Sequence, residues 1–197
     1  PDITGRSLEC LCIHGMDLED PTVARAIRFL REHQDPSGCW LGRWGVNYLY
    51  GTWQVVCGLR AVGCDMGEPW IHRAGEWLRS VQQSDGAFGE SPDTYEDPSL
   101  KGQGPATPSQ TAWGAMALMA VAGAKDPDVA RAIRWLAESQ RRDGDWDEPW
   151  FTGTGFPRVF YLRYHYYRLY FPLMALGRWL GARGERPAPA SLPGTNE

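Results

Sequence analysis

The sequence predicts an all-α fold of stacked helical hairpins. Two observations carry this: a helix-ending pattern that occurs three times, and a more apolar helix after each copy. The pattern is R-A-x-x-(F/W)-L-x-x-x-Q-x-x-x-G-x-(W/F), at Arg25 to Trp40, Arg73 to Phe88 and Arg131 to Trp146. The pairs Phe29-Leu30, Trp77-Leu78 and Trp135-Leu136 precede the glutamine by five and four residues, the spacing of a helix with one buried face. Gln34, Gln82 and Gln140 are expected to end their helices and fold back under Trp40, Phe88 and Trp146. Gly38, Gly86 and Gly144 supply the tight turn, since glycine reaches positive φ without a steric penalty. A glutamine amide shielded by a large ring can satisfy orphan backbone groups at a helix end. Successive copies start 48 residues apart (Arg25 to Arg73) and then 58 (Arg73 to Arg131), each followed by a second helix: Thr52 to Val62, Pro108 to Ala122, Pro172 to Leu180. That period fits an open solenoid or a closed α/α toroid, with apolar helices inside and Arg/Glu-rich helices outside. No strand is expected.

Composition narrows the classes. A 197-residue chain with 43% hydrophobic and 22% charged residues is globular and long enough for one sizeable core. Ten Trp and eight Tyr imply rings that either pack repeats or line a pocket. Twenty basic against twenty-four acidic side chains, with no basic run, exclude a nucleic-acid partner. Cys10, Cys12, Cys39, Cys57 and Cys64 are odd in number and lack C-x-x-C spacing, so reduced, mostly buried thiols and a cytosolic compartment are expected. His14, His33, His72 and His165 are scattered without metal-ligand spacing, and no metal is expected.

Along the chain, Leu8, Leu11 and Cys12 give the first segment the look of an inner helix whose outer partner lies in a larger whole. Asp20 precedes Pro21 as an N-cap, so the acidic run Asp17 to Asp20 is structural. The connection Gly42 to Thr52 flanks aromatics with glycines and is expected to place Trp44 and Tyr50 inward, for packing or for a pocket. The connection from Gly89 to Pro108 is of a length often functional. Asp143 to Glu148 reads as a solvated acidic turn. In the dense aromatic stretch 151–170, a helix opened by Pro157 would put Phe156, Phe160, Tyr164 and Tyr167 in one arc. Such a stripe serves either as core or as a wall of ring faces suited to a cation. Residues 186–197, rich in Pro, Ala and Gly, are expected to form a disordered tail behind a single unit spanning 1–185.

These motifs carry a resemblance. The three ties look like the QW repeats of the triterpene cyclases. GRWGVNYLYGT, TPSQTAW, DEPWFTGTGFP and YRLYFPLMALGRW are closely similar to the C-terminal part of the bacterial squalene-hopene cyclases, in the same order. Gly153-Thr154-Gly155-Phe156-Pro157 looks like the hopene branch, with the oxidosqualene (sterol-type) cyclases as the nearer alternative. The resemblance implies a segment of an α/α-barrel enzyme that cyclises squalene through carbocations to hopene or hopanol, with no cofactor. It implies substrate-facing roles for Trp44, Phe156, Phe160, Leu162, Tyr164 and Tyr167, and places Asp2, Arg6 and Tyr50 around the catalytic acid. Expected partners are squalene, the N-terminal part of the cyclase, the cytoplasmic face of one membrane leaflet and a second copy in a homodimer. The family's acid lies in an Asp-x-Asp-Asp motif, and this chain contains none. Two other classes remain: a toroidal glycan hydrolase, which wants facing carboxylates, and a non-catalytic repeat scaffold.

Overall fold

The computed structural model describes residues 1–185, so the tail expected at 186–197 lies outside the described residues. Helices α1 (Asp2–Ile13), α3 (Tyr48–Ala61), α5 (Pro108–Ala122) and α7 (Tyr167–Ala182) pack side by side as an inner row, α1 on α3, α3 on α5 and α5 on α7. Helices α2 (Pro21–Glu32), α4 (Pro69–Val81) and α6 (Pro127–Glu138) form the outer row. The result is a double layer of helical hairpins, as the sequence predicts.

The two rows differ as their residues require. In α6 the buried positions Val129, Ala132, Ile133 and Leu136 recur at i, i+3, i+4 and i+7, one stripe on an otherwise polar helix. In α5 every residue from Pro108 to Leu118 is buried, because α3, α4, α6 and α7 surround it. Asp20 accepts from the Thr22 and Val23 amides, confirming its role as the cap of α2.

The ties are present with a different division of labour. The indole Nε1 of Trp40 donates to the Leu30 carbonyl, and that of Trp146 to the Leu136 carbonyl, both at 2.8 Å. These oxygens sit in the last turns of α2 and α6, where helical partners run out. Phe88 has no such donor, and the matching Leu78 carbonyl instead accepts from the Gln82 amide at 3.1 Å. The glutamines look the other way. Gln34 Nε2 donates to Gly38 O and to Trp70 O at the start of α4, while its Oε1 accepts from Arg73. Gln82 repeats this with Gly86 O, Asp128 O and Arg131 of α6. The glutamine of one repeat therefore fastens the arginine of the next. Gly38 (φ 101°) and Gly86 (φ 98°) allow it, since a Cβ there would strike the Arg73 and Arg131 backbone.

Four expectations need correction. Helix α3 starts at Tyr48 rather than Thr52, because the Glu90 carboxylate accepts from the Asn47 and Leu49 amides and caps a turn the local sequence does not mark. Helix α7 starts at Tyr167 and carries Pro172 inside, where a helical amide is lost; ring packing of Tyr167 and Phe171 on Trp113 of α5 outweighs that loss. Strands do occur: β1 (Gly153–Phe156) and β2 (Phe160–Leu162) form an antiparallel hairpin. Of the five free thiols, only Cys39 and Cys57 are buried, fewer than expected.

Candidate functional site

The residues singled out in the sequence gather at one end of the inner row, where α3, α5 and α7 begin. Pro157 opens no helix. It follows Phe156, a residue biased to extended backbone by the proline, and starts a turn closed by Val159 N to Phe156 O at 3.0 Å. Arg158 takes the second central position at φ 67°, a conformation costly for a residue with a Cβ. The signal was legible: Gly-Thr-Gly before x-Pro-x and β-favouring Val-Phe-Tyr-Leu after it describe a hairpin.

Phe156 and Phe160 are neighbours through strand pairing rather than helical spacing, with centroids 5.8 Å apart. Tyr164 and Tyr167 stack at 4.6 Å. Gly153 and Gly155 make room, since a Cβ on either would enter the Tyr164 or Phe160 ring. The Trp44 loop lies along β1, with Val46 N bonded to Thr152 O at 2.9 Å and Gly45 bridged to Gly153. The Arg43 guanidinium sits 5.2 Å from the Trp44 ring and 5.6 Å from Phe156, and so links the loop to the hairpin. Deeper in, Tyr50 meets Trp113 at 5.1 Å edge to face, Trp113 stacks on Trp53, and Trp113 meets Tyr167 at 6.0 Å.

Trp44, Phe156, Phe160 and Tyr164 are 41%, 52%, 45% and 42% exposed, whereas Tyr50, Leu162 and Tyr167 are half-buried. An exposed set of large rings at one end marks a surface that meets an apolar partner or substrate. Burial raises the Tyr50 and Tyr167 hydroxyls above their ordinary range, so both stay neutral.

Asp2 is buried, and its carboxylate accepts from the Arg43 and Trp44 amides at 2.7 and 3.2 Å, which fastens the Trp44 loop to α1. Arg6 is exposed and pairs with Glu9 at 2.6 Å. Two carboxylates escaped the sequence reading. Glu90 is buried and accepts from Asn47, Leu49 and Gly102 amides; burial raises its pKa against the pull of those bonds. Glu148, expected in a solvated turn, is buried and bonds Ser109 N and Oγ at 2.8 and 3.0 Å, capping α5. Burial pushes its carboxyl up as well. The other carboxylates of that turn pair with arginines, Asp143 and Asp147 with Arg141, and Asp145 with Arg168 through both oxygens. A separate cavity of about 630 Å³ lies toward the other end of the inner row, between Glu9, Cys57, Met116, Met119 and Arg178. Trp53 and Trp113 are the ring residues the sequence reading overlooked; their place in the middle of otherwise apolar inner helices was the only hint.

Fold and site together define a repeat protein of the α/α-toroid type, with neutral aromatic rings presented at one end of its inner helices. The chain belongs to a known family of that type: residues 1–181 match the profile of the squalene-hopene cyclase C-terminal domain. It is 50% identical over 178 residues to the squalene-hopene cyclase of Alicyclobacillus acidocaldarius, covering 90% of this chain and 28% of that protein. It is 47% identical to a probable squalene-hopene cyclase of Sinorhizobium fredii over 92% of this chain and 28% of that protein. It is 40% identical to a dammaradiene synthase of Dryopteris crassirhizoma, covering 90% of this chain and 29% of that protein. The chain thus spans little more than a quarter of the length of these relatives. A crystal structure of a protein from Actinoplanes shares the fold, with a TM-score of 0.62 at 19% identity over 91% of this chain and 55% of that one.

Proposed function

We propose that this chain forms one aromatic wall of the reaction cavity of a squalene-hopene-type cyclase. In that cavity squalene is protonated and closes ring by ring through carbocations to hopene or hopanol. One observation carries the reading: Trp44, Phe156, Phe160, Tyr164, Tyr167 and Tyr50 are brought to one end of the fold. These side chains present ring faces, and the hydroxyls of Tyr50 and Tyr167 are held neutral by burial. Ring faces stabilise a cation without forming a bond to it, and each is worth about 2 kcal/mol when desolvated. Leu162 shapes the wall between them.

Protonating an isolated alkene needs a strong acid held in a polar, charged setting. The Asp-x-Asp-Asp acid is not in this chain, so another part of the enzyme supplies it. Asp2 supports that region by fixing the Trp44 loop, with Tyr50 and Arg6 close enough to share its field. An apolar substrate arriving from a lipid phase fits peripheral attachment to the cytoplasmic face of one leaflet. No described helix is long and apolar enough to cross a membrane.

The test is product analysis of the complete cyclase with solubilised squalene. Phe160→Ala should leave substrate consumption largely intact and divert flux into early-terminated products, and Phe160→Trp should restore part of the full cyclisation. Equal loss of all products, in step with loss of folded protein, would show that the ring is core.

A further inference from the structure

The connection between Phe88 and Pro108 has no role in the reading so far, yet it touches both segments that carry the exposed rings. At its first 3-10 turn (Pro92–Tyr95), Tyr95 is 4% exposed and its hydroxyl lies 2.6 Å from Gly42 O and 2.9 Å from Gly45 O. Those two carbonyls bracket Trp44. Its own backbone carbonyl accepts from Arg158 Nε at 2.8 Å, and its ring stacks on Tyr161 of β2 at 6.0 Å. Arg158 is the tip of the turn between Phe156 and Phe160 and is the non-glycine residue held at positive φ among the described residues. A strained residue persists where its surroundings over-determine it. The connection itself is anchored by Thr94 to Asn47 Nδ2 at 3.0 Å and by the buried Glu90.

We propose that Tyr95 and Arg158 form a positioning pair that sets the spacing between the Trp44 ring and the Phe156 and Phe160 rings, and thereby decides how far the cyclisation runs before it terminates. Neither residue needs to touch the substrate. Tyr95 ties the Trp44 loop through its hydroxyl and the hairpin through its carbonyl, so a displacement of one ring group is passed to the other. Rings that face successive cations must keep their mutual distance, because small misplacements of a stabilising group cost large factors in rate. The inference rests on the cyclase reading.

The experiment uses the complete cyclase with Tyr95→Phe, which deletes only the hydroxyl, and Arg158→Gly, which deletes the guanidinium while relieving the positive φ. Product ratios, melting temperature and amide hydrogen exchange at residues 42–46 and 153–162 are measured for each. Incomplete products should rise about tenfold over wild type in both variants, the scale of one ordinary hydrogen bond. Arg158→Gly should do so with no loss of melting temperature, and Arg158→Lys should recover part of the wild-type ratio. Exchange should quicken at 42–46 in Tyr95→Phe and at 153–162 in Arg158→Gly. Wild-type product ratios in both variants, or yields that fall only in step with melting temperature, overturn the proposal. A wild-type enzyme that makes no polycyclic product sinks the cyclase reading instead. The exchange data then decide the clamp alone, upheld by faster exchange in both segments and overturned by unchanged exchange.

Discussion

Replacing Trp40 by phenylalanine isolates one atom of the repeat tie. Trp40 is fully buried, its Nε1 donates to Leu30 O at 2.8 Å, and Leu30 is fully buried as well. Phenylalanine at the same turn is compatible with the fold, because Phe88 occupies the matching place in the second copy. There, however, the Leu78 carbonyl already has the Gln82 amide. Trp40→Phe leaves a buried carbonyl without a donor, which costs about 1–3 kcal/mol. Trp40→Ala adds a cavity and should cost about 3–5 kcal/mol, as should Trp146→Ala. Trp146→Phe should cost less than Trp40→Phe, because Ser139 Oγ lies 3.3 Å from Leu136 O and remains as a partner. Guanidinium unfolding of the purified variants, compared at constant m-value, reads these differences, and each kcal/mol lowers the melting temperature by about 2–4 °C. Trp40→Phe at no more than about 0.5 kcal/mol, or a larger loss in Trp146→Phe, would show that the indole matters as a hydrophobic ring and the carbonyl argument is wrong.

Gln82→Leu removes two donated bonds and the Oε1 that accepts from Arg131 at 2.6 Å; a loss of about 2–4 kcal/mol is expected in the same unfolding assay, with Gln82→Glu recovering only the arginine contact. The Arg168 hydrogen bonds hold the Asp145 carboxyl down at about 2, so this pair stabilises the fold above the ordinary Asp value and loses that effect as pH falls toward 2. Arg168→Met should therefore flatten the decline of the unfolding midpoint between about pH 4 and pH 2; an unchanged slope refutes the assignment. Purified by itself, the chain should convert no squalene, since it lacks the Asp-x-Asp-Asp acid, and any pentacyclic product detected by mass spectrometry would point to a different acid.

The sequence by itself determined the hairpin repeat, the inner and outer rows, the cap at Asp20, and the residue types of the exposed ring set. These follow from signals within about ten residues: a 3.6-residue apolar stripe, a capping side chain, a glycine at positive φ. The partner of each glutamine was not legible, because Arg73 lies 39 residues from Gln34 and Arg131 lies 49 from Gln82. The Asp143 to Glu148 turn shows the same limit. Its acidic run reads as solvated, yet Glu148 is drawn inside because the amide of Ser109, 39 residues away, has no helical partner at the start of α5. Only the tertiary structure decided where α3 begins and that Tyr95 joins the Phe156–Phe160 hairpin to the Trp44 loop. Each depends on a hydrogen bond or ring contact between distant segments, and such a contact forms only after the helices have packed and excluded the water that would otherwise satisfy both groups.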